Sequence, residues 1–331
     1  MDRAIAIGTS HGGVDALRIF VSGLPKDFDQ PVFVVLHVGS APSMLPSLLS
    51  AAGPLVATHA CDGEEIRKGH IYVAPPDHHM LVEGRHIRLS RGPRENWARP
   101  AIDPLFRSVA KTFDGNAIGI ILTGNLNDGT AGLYEIRNRG GVAIIQDPGE
   151  AEAPSMPQSA VENVGADFVV QVSEMPALVA RLTKKAEKNP DEPAGGPLMP
   201  NHEWDFKQPV AQTCPECGGA MRTEGLGNLT QYRCHIGHVM TAEVLAQAQR
   251  QTLGDRIASC IRAAREHSEL CREIAAKYES RGGHGPAVQW RKAADQSDER
   301  ARILAGLEEN GWIRPTSGLA ADQKEISEFA E

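Results

Sequence analysis

The stretch Ile5-Ala-Ile-Gly-Thr-Ser-His-Gly-Gly13 decides the fold of this 331-residue chain. A short apolar run ends in a glycine-rich turn, and an apolar pattern of helical period starts at once with Val14. This order predicts a strand, a tight turn and a helix, with Ser10 at the turn. The first N–H groups of a helix have no partner inside it, so they can stabilise a negative oxygen beside the serine. We therefore interpret Ser10 as a candidate nucleophile.

Two other interpretations of this turn stay open at this point. A glycine-rich turn after the first strand can cradle a dinucleotide phosphate, but that fingerprint needs glycine where Ser10 stands. It also needs a carboxylate after the second strand, and Val32-Phe-Val-Val-Leu36 is followed by His37 instead. The turn can also be purely structural, with Ser10 capping the helix.

A serine nucleophile needs a general base and a carboxylate that orients the base. His37 directly follows the second apolar run, and Asp128 lies in a glycine-flanked loop after the run Ala117-Ile-Gly-Ile-Ile-Leu122. Each residue alone is ordinary, because histidines are frequent here and Asp-Gly pairs are common in turns. Since carboxyl ends of parallel strands meet at one edge, the three residues together predict a Ser-His-Asp triad.

Strand and helix patterns alternate along residues 1–183, which predicts an α/β fold with a doubly wound, mostly parallel sheet. A β-hairpin is expected around Gly84-Arg85, helices at 104–113, 133–138 and 175–185, and strands at 142–146 and 168–172. Beyond this catalytic domain we expect a Pro/Gly-rich charged linker at 184–212, a small metal module at 213–240, a helical hairpin at 241–310 and a loose tail at 311–331.

The first 183 residues resemble the catalytic domain of the chemotaxis protein-glutamate methylesterases, the CheB type. The matching stretches, in the order of that family, are Ile7-Gly-Thr-Ser-His-Gly-Gly13, Leu36-His37, Ile71-Tyr-Val-Ala-Pro-Pro-Asp77, Arg99-Pro-Ala-Ile-Asp-Pro-Leu-Phe106, Leu122-Thr-Gly-Asn-Leu-Asn-Asp-Gly129, Gln146-Asp-Pro148 and Ser155-Met-Pro-Gln-Ser-Ala160. The resemblance implies a nucleophilic Ser10, a basic His37, an orienting Asp128 and no catalytic cofactor.

The implied reaction is hydrolysis of glutamate γ-methyl esters on methyl-accepting chemoreceptors, with methanol released and glutamine deamidation as a further activity. Backbone N–H groups at His11 and Gly12 would stabilise the oxyanion. Arg99 would position the substrate, although a surface pairing of Arg99 with Glu95 is an equal alternative. His11, Asn125 and Val38-Gly39 depart from the family pattern, which leaves the substrate less certain than the chemistry.

Composition excludes several other classes of function. The formal net charge of −8 argues against a nucleic-acid partner held by bulk electrostatics. No signal peptide and no apolar run of membrane-spanning length is present, so we expect a cytoplasmic enzyme without membrane insertion. Family members often carry an N-terminal receiver domain, and with a strand starting at Ala4 we expect none ahead of it.

The six cysteines then indicate metal ligands or buried thiols rather than disulfides. Cys214-Pro-Glu-Cys217 followed by Cys234, His235 and His238 has the spacing of a Cys₃His site, with His235 as the alternative nitrogen ligand. We expect structural zinc in this small module; a pair of reduced cysteines in a loop is the competing interpretation.

From Thr241 onward, an apolar stripe of helical period predicts two antiparallel helices broken at Gly282-Gly283. The stripe is expected to run through Leu253, Ile257, Ile261, Ala264, Cys271, Ile274 and Tyr278, and then through Val288, Ala293 or Ala294, Ala301, Leu304 and Leu307, with Cys260 and Cys271 on or beside it as buried thiols. Such a stripe is usually the seam of the hairpin. It can also serve dimerisation or contact the cytoplasmic helices of a chemoreceptor.

Three functions therefore compete: a receptor methylesterase, a hydrolase of another ester or amide, and a non-enzymatic regulator that uses the fold to bind a partner. An intact triad favours the two enzymes over the regulator.

Overall fold

The computed structural model describes residues 3–37, 43–184, 210–227 and 229–309. The chain divides into two compact units, residues 1–246 and 247–331. Most of the expected linker at 184–212, all of the expected tail at 311–331, and Val38 and Gly39 lie outside the described residues. The domain boundaries expected from the sequence therefore stay predictions.

A seven-stranded parallel sheet forms the centre of the first unit, with strand order β3-β4-β2-β1-β7-β8-β9. A separate antiparallel hairpin pairs β5 with β6. The strands are β1 (Ala4–Thr9), β2 (Val32–Leu36), β3 (Val56–His59), β4 (His70–Val73), β5 (His79–Glu83), β6 (His86–Ser90), β7 (Ala117–Ile121), β8 (Val142–Gln146) and β9 (Phe168–Val170). Because β1, β2 and β7 are buried throughout, they read as continuous apolar runs in the sequence.

Helices cover both faces of this sheet. They are α1 (Gly13–Ser22), α2 (Leu45–Ala52), α3 (Ile102–Phe113), α4 (Thr130–Asn138), α5 (Ser155–Asn163) and α6 (Met175–Lys184), with short 3₁₀ turns at Asp114–Asn116 and Val172–Glu174. Phe20 of α1 and Leu49 of α2 pack on one face, and Phe106 of α3 and Met156 of α5 pack on the other. The doubly wound fold expected from the sequence is confirmed.

Some elements of this unit were not expected from the sequence. Strand β3 and helices α2 and α5 have short or weakly periodic patterns, and the two helices contain prolines in their first turns. Their placement follows from packing against the sheet rather than from local periodicity.

The chain after residue 209 adds a three-stranded antiparallel sheet to the first unit. Its strands are β10 (Met221–Leu226), β11 (Leu229–Cys234) and β12 (Val239–Thr241), in the order β10-β11-β12. We call residues 210–241 the Cys/His module.

The second unit is formed by α7 (Ala242–Glu279), from Gln247 onward, and α8 (His284–Glu309). The helices run antiparallel, because Nδ1 of His267 lies 2.8 Å from Oγ of Ser297 while Glu279 pairs with Arg291 near the turn. Among the described helices, none combines the length and apolar composition needed to cross a bilayer.

The seam of this hairpin follows the expected stripe only in part. Its buried residues are mainly small: Ile261, Ser268, Cys271, Ala275, Ala287, Ala294, Ser297 and Ala301. Ile261, Cys271, Ala294 and Ala301 were expected there, whereas the expected Leu253, Tyr278, Val288 and Leu307 are exposed, so these four were assigned to the wrong face. Cys271 is buried as expected, but Cys260 is exposed. The remaining buried residues were missed because alanine and serine allow close helix approach and carry little hydropathy signal.

Candidate active site

Ser10 lies at the turn between β1 and α1. Its N–H donates to the carbonyl of Thr123 (3.0 Å), and its own carbonyl accepts from the N–H of Gly13 (3.0 Å). Gly12 has a φ of 73°, which strains other residues, and a Cβ there would lie 2.9 Å from the Cβ of Glu152, so the turn favours glycine. The glycine-rich turn therefore serves to hold the serine tightly at the carboxyl end of the central strand.

His37 is placed beside the serine turn by the pairing of β2 with β1. Thr9 and Leu36 are partners in this parallel ladder, and the N–H of His37 donates to the carbonyl of Thr9 (3.3 Å). Nε2 of His37 lies 2.8 Å from Oδ2 of Asp128, which leaves Nδ1 as the nitrogen available to Ser10. Within the described residues, Oγ of Ser10 makes no hydrogen bond, and in enzymes without substrate such bonds are often long.

Asp128 is buried in the loop after β7 and is surrounded by hydrogen-bond donors. Besides His37, its oxygens accept from the side-chain amide of Asn96 (2.8 Å) and from the backbone N–H groups of Ile102 (2.7 Å), Gly129 (3.0 Å) and Asp103 (3.3 Å). Burial alone would raise the pKa of Asp128, but the hydrogen bond and charge of His37, with the other donors, bring this pKa below its ordinary value. The aspartate is therefore held as an anion facing the histidine.

Asn96 and Asp103 are residues of the site that sequence analysis did not single out. Nδ2 of Asn96 donates to Oδ1 of Asp128 and to Oδ2 of Asp103, each at 2.8 Å. Asp103 is fully buried, and burial together with the charge of Asp128 raises the pKa of Asp103 to about 8. Near neutral pH, the proton of this carboxyl pair therefore resides on Asp103 and the charge on Asp128. Asp103 lies within the quoted motif Arg99-Pro-Ala-Ile-Asp-Pro-Leu-Phe106, whereas no sequence signal marks Asn96.

Arg99 does not pair with Glu95, so that alternative is wrong. Nε and Nη2 of Arg99 both donate to a carboxylate oxygen of Asp77, at 2.9 and 2.7 Å, and Nη1 donates to the carbonyl of Gly92 (2.8 Å). Glu95 pairs with Arg107 instead, at 2.6 and 2.7 Å. Every nitrogen of the Arg99 guanidinium is thus engaged within the protein.

The two rim positions that depart from the family pattern are both exposed. Nε2 of His11 lies 3.1 Å from a carboxylate oxygen of Glu152, with both side chains more than 60% accessible to solvent. Asn125 follows Gly124 on the loop that leads to Asp128, and its side chain is also exposed. Within the described residues, the N–H groups of His11 and Gly12 donate to no acceptor, so both are available to a ligand at the serine.

The four predicted metal ligands come together in the Cys/His module. One ligand atom from each of Cys214, Cys217, Cys234 and His238 lies within 4.8 Å of the others. Sγ of Cys217 is 3.6 Å from Sγ of Cys234, and Nδ1 of His238 is 3.4 Å from Sγ of Cys234 and 3.7 Å from Sγ of Cys214. His235 is exposed, its ring covers Gly219, and it does not belong to this cluster.

These distances fit a tetrahedral zinc ion. Zn–S bonds near 2.3 Å place two sulfur ligands about 3.8 Å apart around a tetrahedral centre. The three thiols and one imidazole supply four ligands, which would close the coordination sphere as in structural zinc sites.

A parallel sheet that carries a serine, a histidine and a carboxylate after three neighbouring strands has the arrangement of a serine hydrolase. Comparison with known proteins is more specific, because the CheB methylesterase family matches residues 5–179. The chain belongs to this family, whose members are carboxylic ester hydrolases.

Individual relatives agree with this assignment. A protein from Leptospira interrogans, named as a protein-glutamate methylesterase/protein-glutamine glutaminase, is 38% identical over 54% of this chain and 94% of that relative. A relative of the same name from Maricaulis maris is 37% identical over 54% of this chain, but the match covers only 46% of that relative. The crystal structure of the Thermotoga maritima CheB methylesterase catalytic domain matches with a TM-score of 0.53 and 31% identity, over 55% of this chain and 99% of that domain.

Proposed function

We propose that this protein hydrolyses glutamate γ-methyl esters on the cytoplasmic helices of methyl-accepting chemoreceptors and that it also deamidates glutamine there. The observation that carries the proposal is the 2.8 Å pair of His37 and Asp128 beside the serine turn, in a chain of the CheB methylesterase family. The names of the relatives supply the substrate class.

In the proposed mechanism, Ser10 attacks the ester carbonyl while Nδ1 of His37 takes its proton. Asp128 stabilises the imidazolium that forms, and its lowered pKa keeps it charged for that role. The N–H groups of His11 and Gly12 stabilise the oxyanion, and loss of one such donor costs about 2.7–4 kcal/mol in other hydrolases. Protonated His37 then gives its proton to the leaving methoxide, methanol departs, and water hydrolyses the acyl-serine.

His11 and Asn125 are proposed to contact the substrate at the exposed rim. The substrate contact predicted for Arg99 stays a prediction. Its bonds to Asp77 and Gly92 support an indirect role, in which Arg99 orders the loop beside the site.

The test is methanol release from a methylated chemoreceptor fragment by wild type and by Ser10→Ala. We expect release by wild type alone, and labelling of wild type alone by a fluorophosphonate probe. Labelling without methanol release would favour a hydrolase of another ester or amide. A protein that binds the receptor equally well with either residue at position 10, without turnover or labelling, would be the regulator and would refute the proposal.

We also propose that the Cys/His module holds one structural zinc ion through Cys214, Cys217, Cys234 and His238. The mutual distances of the four ligand atoms support this proposal. The purified protein is expected to contain one equivalent of zinc, and Cys217→Ser to lose it. Cys61→Ser is the matched control, since Cys61 is also exposed but lies outside the cluster. Equal zinc contents in the two variants would contradict the site.

The helical hairpin is proposed as the part that contacts a partner helix or a second copy of the chain. Its exposed apolar side chains, among them Leu253, Val288 and Leu307, support this role. Replacing all three residues by alanine is expected to weaken receptor binding in a pull-down without changing hydrolysis of a small ester. Unchanged receptor binding and an unchanged oligomeric state in solution would contradict the role.

A further inference from the structure

We propose that the Cys/His module positions the catalytic aspartate, so that the metal it holds sets the turnover rate of the enzyme. The inference rests on the proposed esterase activity and on the proposed zinc site. It starts from hydrogen bonds that join β12 to two neighbours of Asp128. Asn96 contacts Asp128 in space, and Asn127 directly precedes it in the chain.

Asn96 is held by the module on its backbone and on its side chain. Its N–H donates to the carbonyl of Val239 in β12 (2.7 Å), and its Oδ1 accepts from the N–H of Thr241 (3.2 Å). The opposite end of the same amide, Nδ2, donates to Asp128 and Asp103. Asn96 is buried, so these are its main partners, and it connects β12 directly to the triad carboxylate.

Asn127 is held by the same segment from the other side. Oγ1 of Thr241 donates to Oδ1 of Asn127 (2.7 Å), and Nδ2 of Asn127 donates to a carboxylate oxygen of Glu243 (2.8 Å) in the first turn of α7. Asn127 is buried and directly precedes Asp128 in the chain. Both side-chain atoms of Asn127 are therefore satisfied by residues 241 and 243.

These bonds determine which way the Asn96 amide faces. The N–H of Thr241 requires an oxygen opposite it, and the two carboxylates require a nitrogen. If β12 moves away, Asn96 loses the bonds that hold its backbone and its amide oxygen, and its donor to Asp128 is no longer fixed in position. A buried carboxylate that loses a donor becomes a weaker partner for the imidazolium of His37.

The metal cluster controls the position of β12. His238 directly precedes β12 and Cys234 ends β11, and the two strands pair through Arg233 with Val239 and Gln231 with Thr241. Without a metal, the turn between β11 and β12 loses the cross-link at Cys234 and His238, and β12 is then held by its ladder with β11 and its hydrogen bonds to Asn96 and Asn127. In small modules of this kind, metal binding and folding are coupled.

The experiment compares full-length protein with bound zinc, the same protein after treatment with a zinc chelator, and the treated protein after zinc is added back. Zinc content is measured in parallel with kcat and KM for a small chromogenic ester. We expect kcat to fall by about 10–100-fold on zinc removal and to recover with zinc, since a hydrogen bond to a charged group is lost. KM is expected to change little, because the hydrogen bonds from Thr241 reach Asn96 and Asn127, on the aspartate side of the site.

Two variants test the path of this effect without touching the metal ligands. Thr241→Val is expected to lower kcat about tenfold with its zinc retained, and Thr241→Ser, which keeps the hydroxyl, to restore it. Asn96→Ala is expected to lower kcat by about 10–100-fold and to make the remaining activity less sensitive to zinc than that of wild type. Cys61→Ser serves as the control that keeps full activity and full sensitivity to zinc.

The possible outcomes distinguish failure of this inference from failure of the proposed esterase function or of the proposed zinc site. A wild type that hydrolyses no ester and releases no methanol overturns the proposed function, and this inference with it. Protein purified without any bound metal overturns the zinc site. An active, zinc-loaded wild type whose kcat is unchanged after complete zinc removal overturns the positioning role alone, as does a Thr241→Val variant with wild-type kcat.

Discussion

The sheet of the first unit and the helical hairpin of the second are each stabilised by a different kind of packing. The sheet is packed on both faces with large side chains, and Phe20, Phe33, Tyr72 and Phe106 are each fully buried. The hairpin closes over alanine, serine and cysteine, while many of its larger apolar side chains face solvent. A large core fixes the strands, and therefore the three strand ends that carry the site. The hairpin gains less from burial, because each of its contacts removes less apolar area from water.

The largest expected effect lies at the edge of the sheet. Asp128→Asn should lower kcat for ester hydrolysis about 10⁴-fold, because the neutral amide neither stabilises the imidazolium nor holds the productive tautomer of His37. Asp114→Asn is the matched control, since Asp114 is an exposed carboxylate on the same unit. Comparable rates in the two variants would remove Asp128 from the triad.

The second effect lies in the core beneath that edge. Phe106→Ala should lower the free energy of unfolding by about 3–5 kcal/mol, through lost burial and the cavity left between α3 and the sheet. Urea unfolding followed by circular dichroism measures this change. A loss below about 1 kcal/mol would mean that the core relaxes around the gap and that the contrast between the two units is overstated.

The third effect is a dependence of stability on pH. The pKa of Asp103 is raised to about 8 in the folded protein, against an ordinary value of 3.8, so the folded state binds the proton more tightly than the unfolded state. The contribution of Asp103 is therefore complete below about pH 4 and is lost progressively as the pH rises to about 8.

Urea unfolding from pH 4 to 9 checks this window by comparing wild type with Asp103→Asn. The difference in the free energy of unfolding between the two should shrink as the pH rises, because the variant lacks the titrating group. A difference that stays constant or widens with pH would show that Asp103 is ionised in the folded protein.

The fourth effect tests the seam of the hairpin. Ala294→Leu should destabilise the hairpin by about 1–3 kcal/mol, because Ala294 is fully buried and the seam has no room for a larger side chain. A stabilising effect would mean that the seam is loosely packed and that small residues are not required there.

The smallest effect is expected on the exposed side of the same helices. Val288→Ala should change the free energy of unfolding by no more than about 0.5 kcal/mol, since its side chain is largely in solvent. Thermal melting of this variant beside Ala294→Leu gives the comparison directly. A clear loss of stability at Val288 would indicate that this surface is covered by a second copy of the chain in solution.

Much of the fold could be predicted because buried parallel strands leave a clear trace in the sequence. The runs that became β1, β2 and β7 are continuous and apolar, and each ends in a turn with a polar residue. Helices α2 and α5 leave a weaker trace, since they are short, contain proline in the first turn and depend on the sheet for their stability. The hairpin was expected as a pair of helices, and part of its seam was misplaced because small residues score as weakly apolar.

The candidate site likewise contains residues that the sequence could predict and residues that it could not. Ser10, His37 and Asp128 could be proposed from the sequence because each follows a strand, and the cysteines because their spacing matches a known ligand pattern. Asn96 was missed because a single asparagine in a loop looks the same whether it faces water or two buried carboxylates. Arg99 was paired with the wrong carboxylate because Asp77 is 22 residues away in sequence, and only the fold brings the two together.

The sequence by itself determined which residues end the strands, that these strands form a parallel sheet, and that four ligands of metal-binding type lie in one short segment. These properties are local, because hydrophobic period, turn chemistry and ligand spacing act within a few residues. Only the tertiary structure decided that β12 lies against Asn96 and Asn127 and that Asp103 shares its surroundings with Asp128. The contacts of β12 join residues more than 100 positions apart, as between Asn127 and Thr241, and those of Asp103 and Asp128 also depend on how whole elements pack.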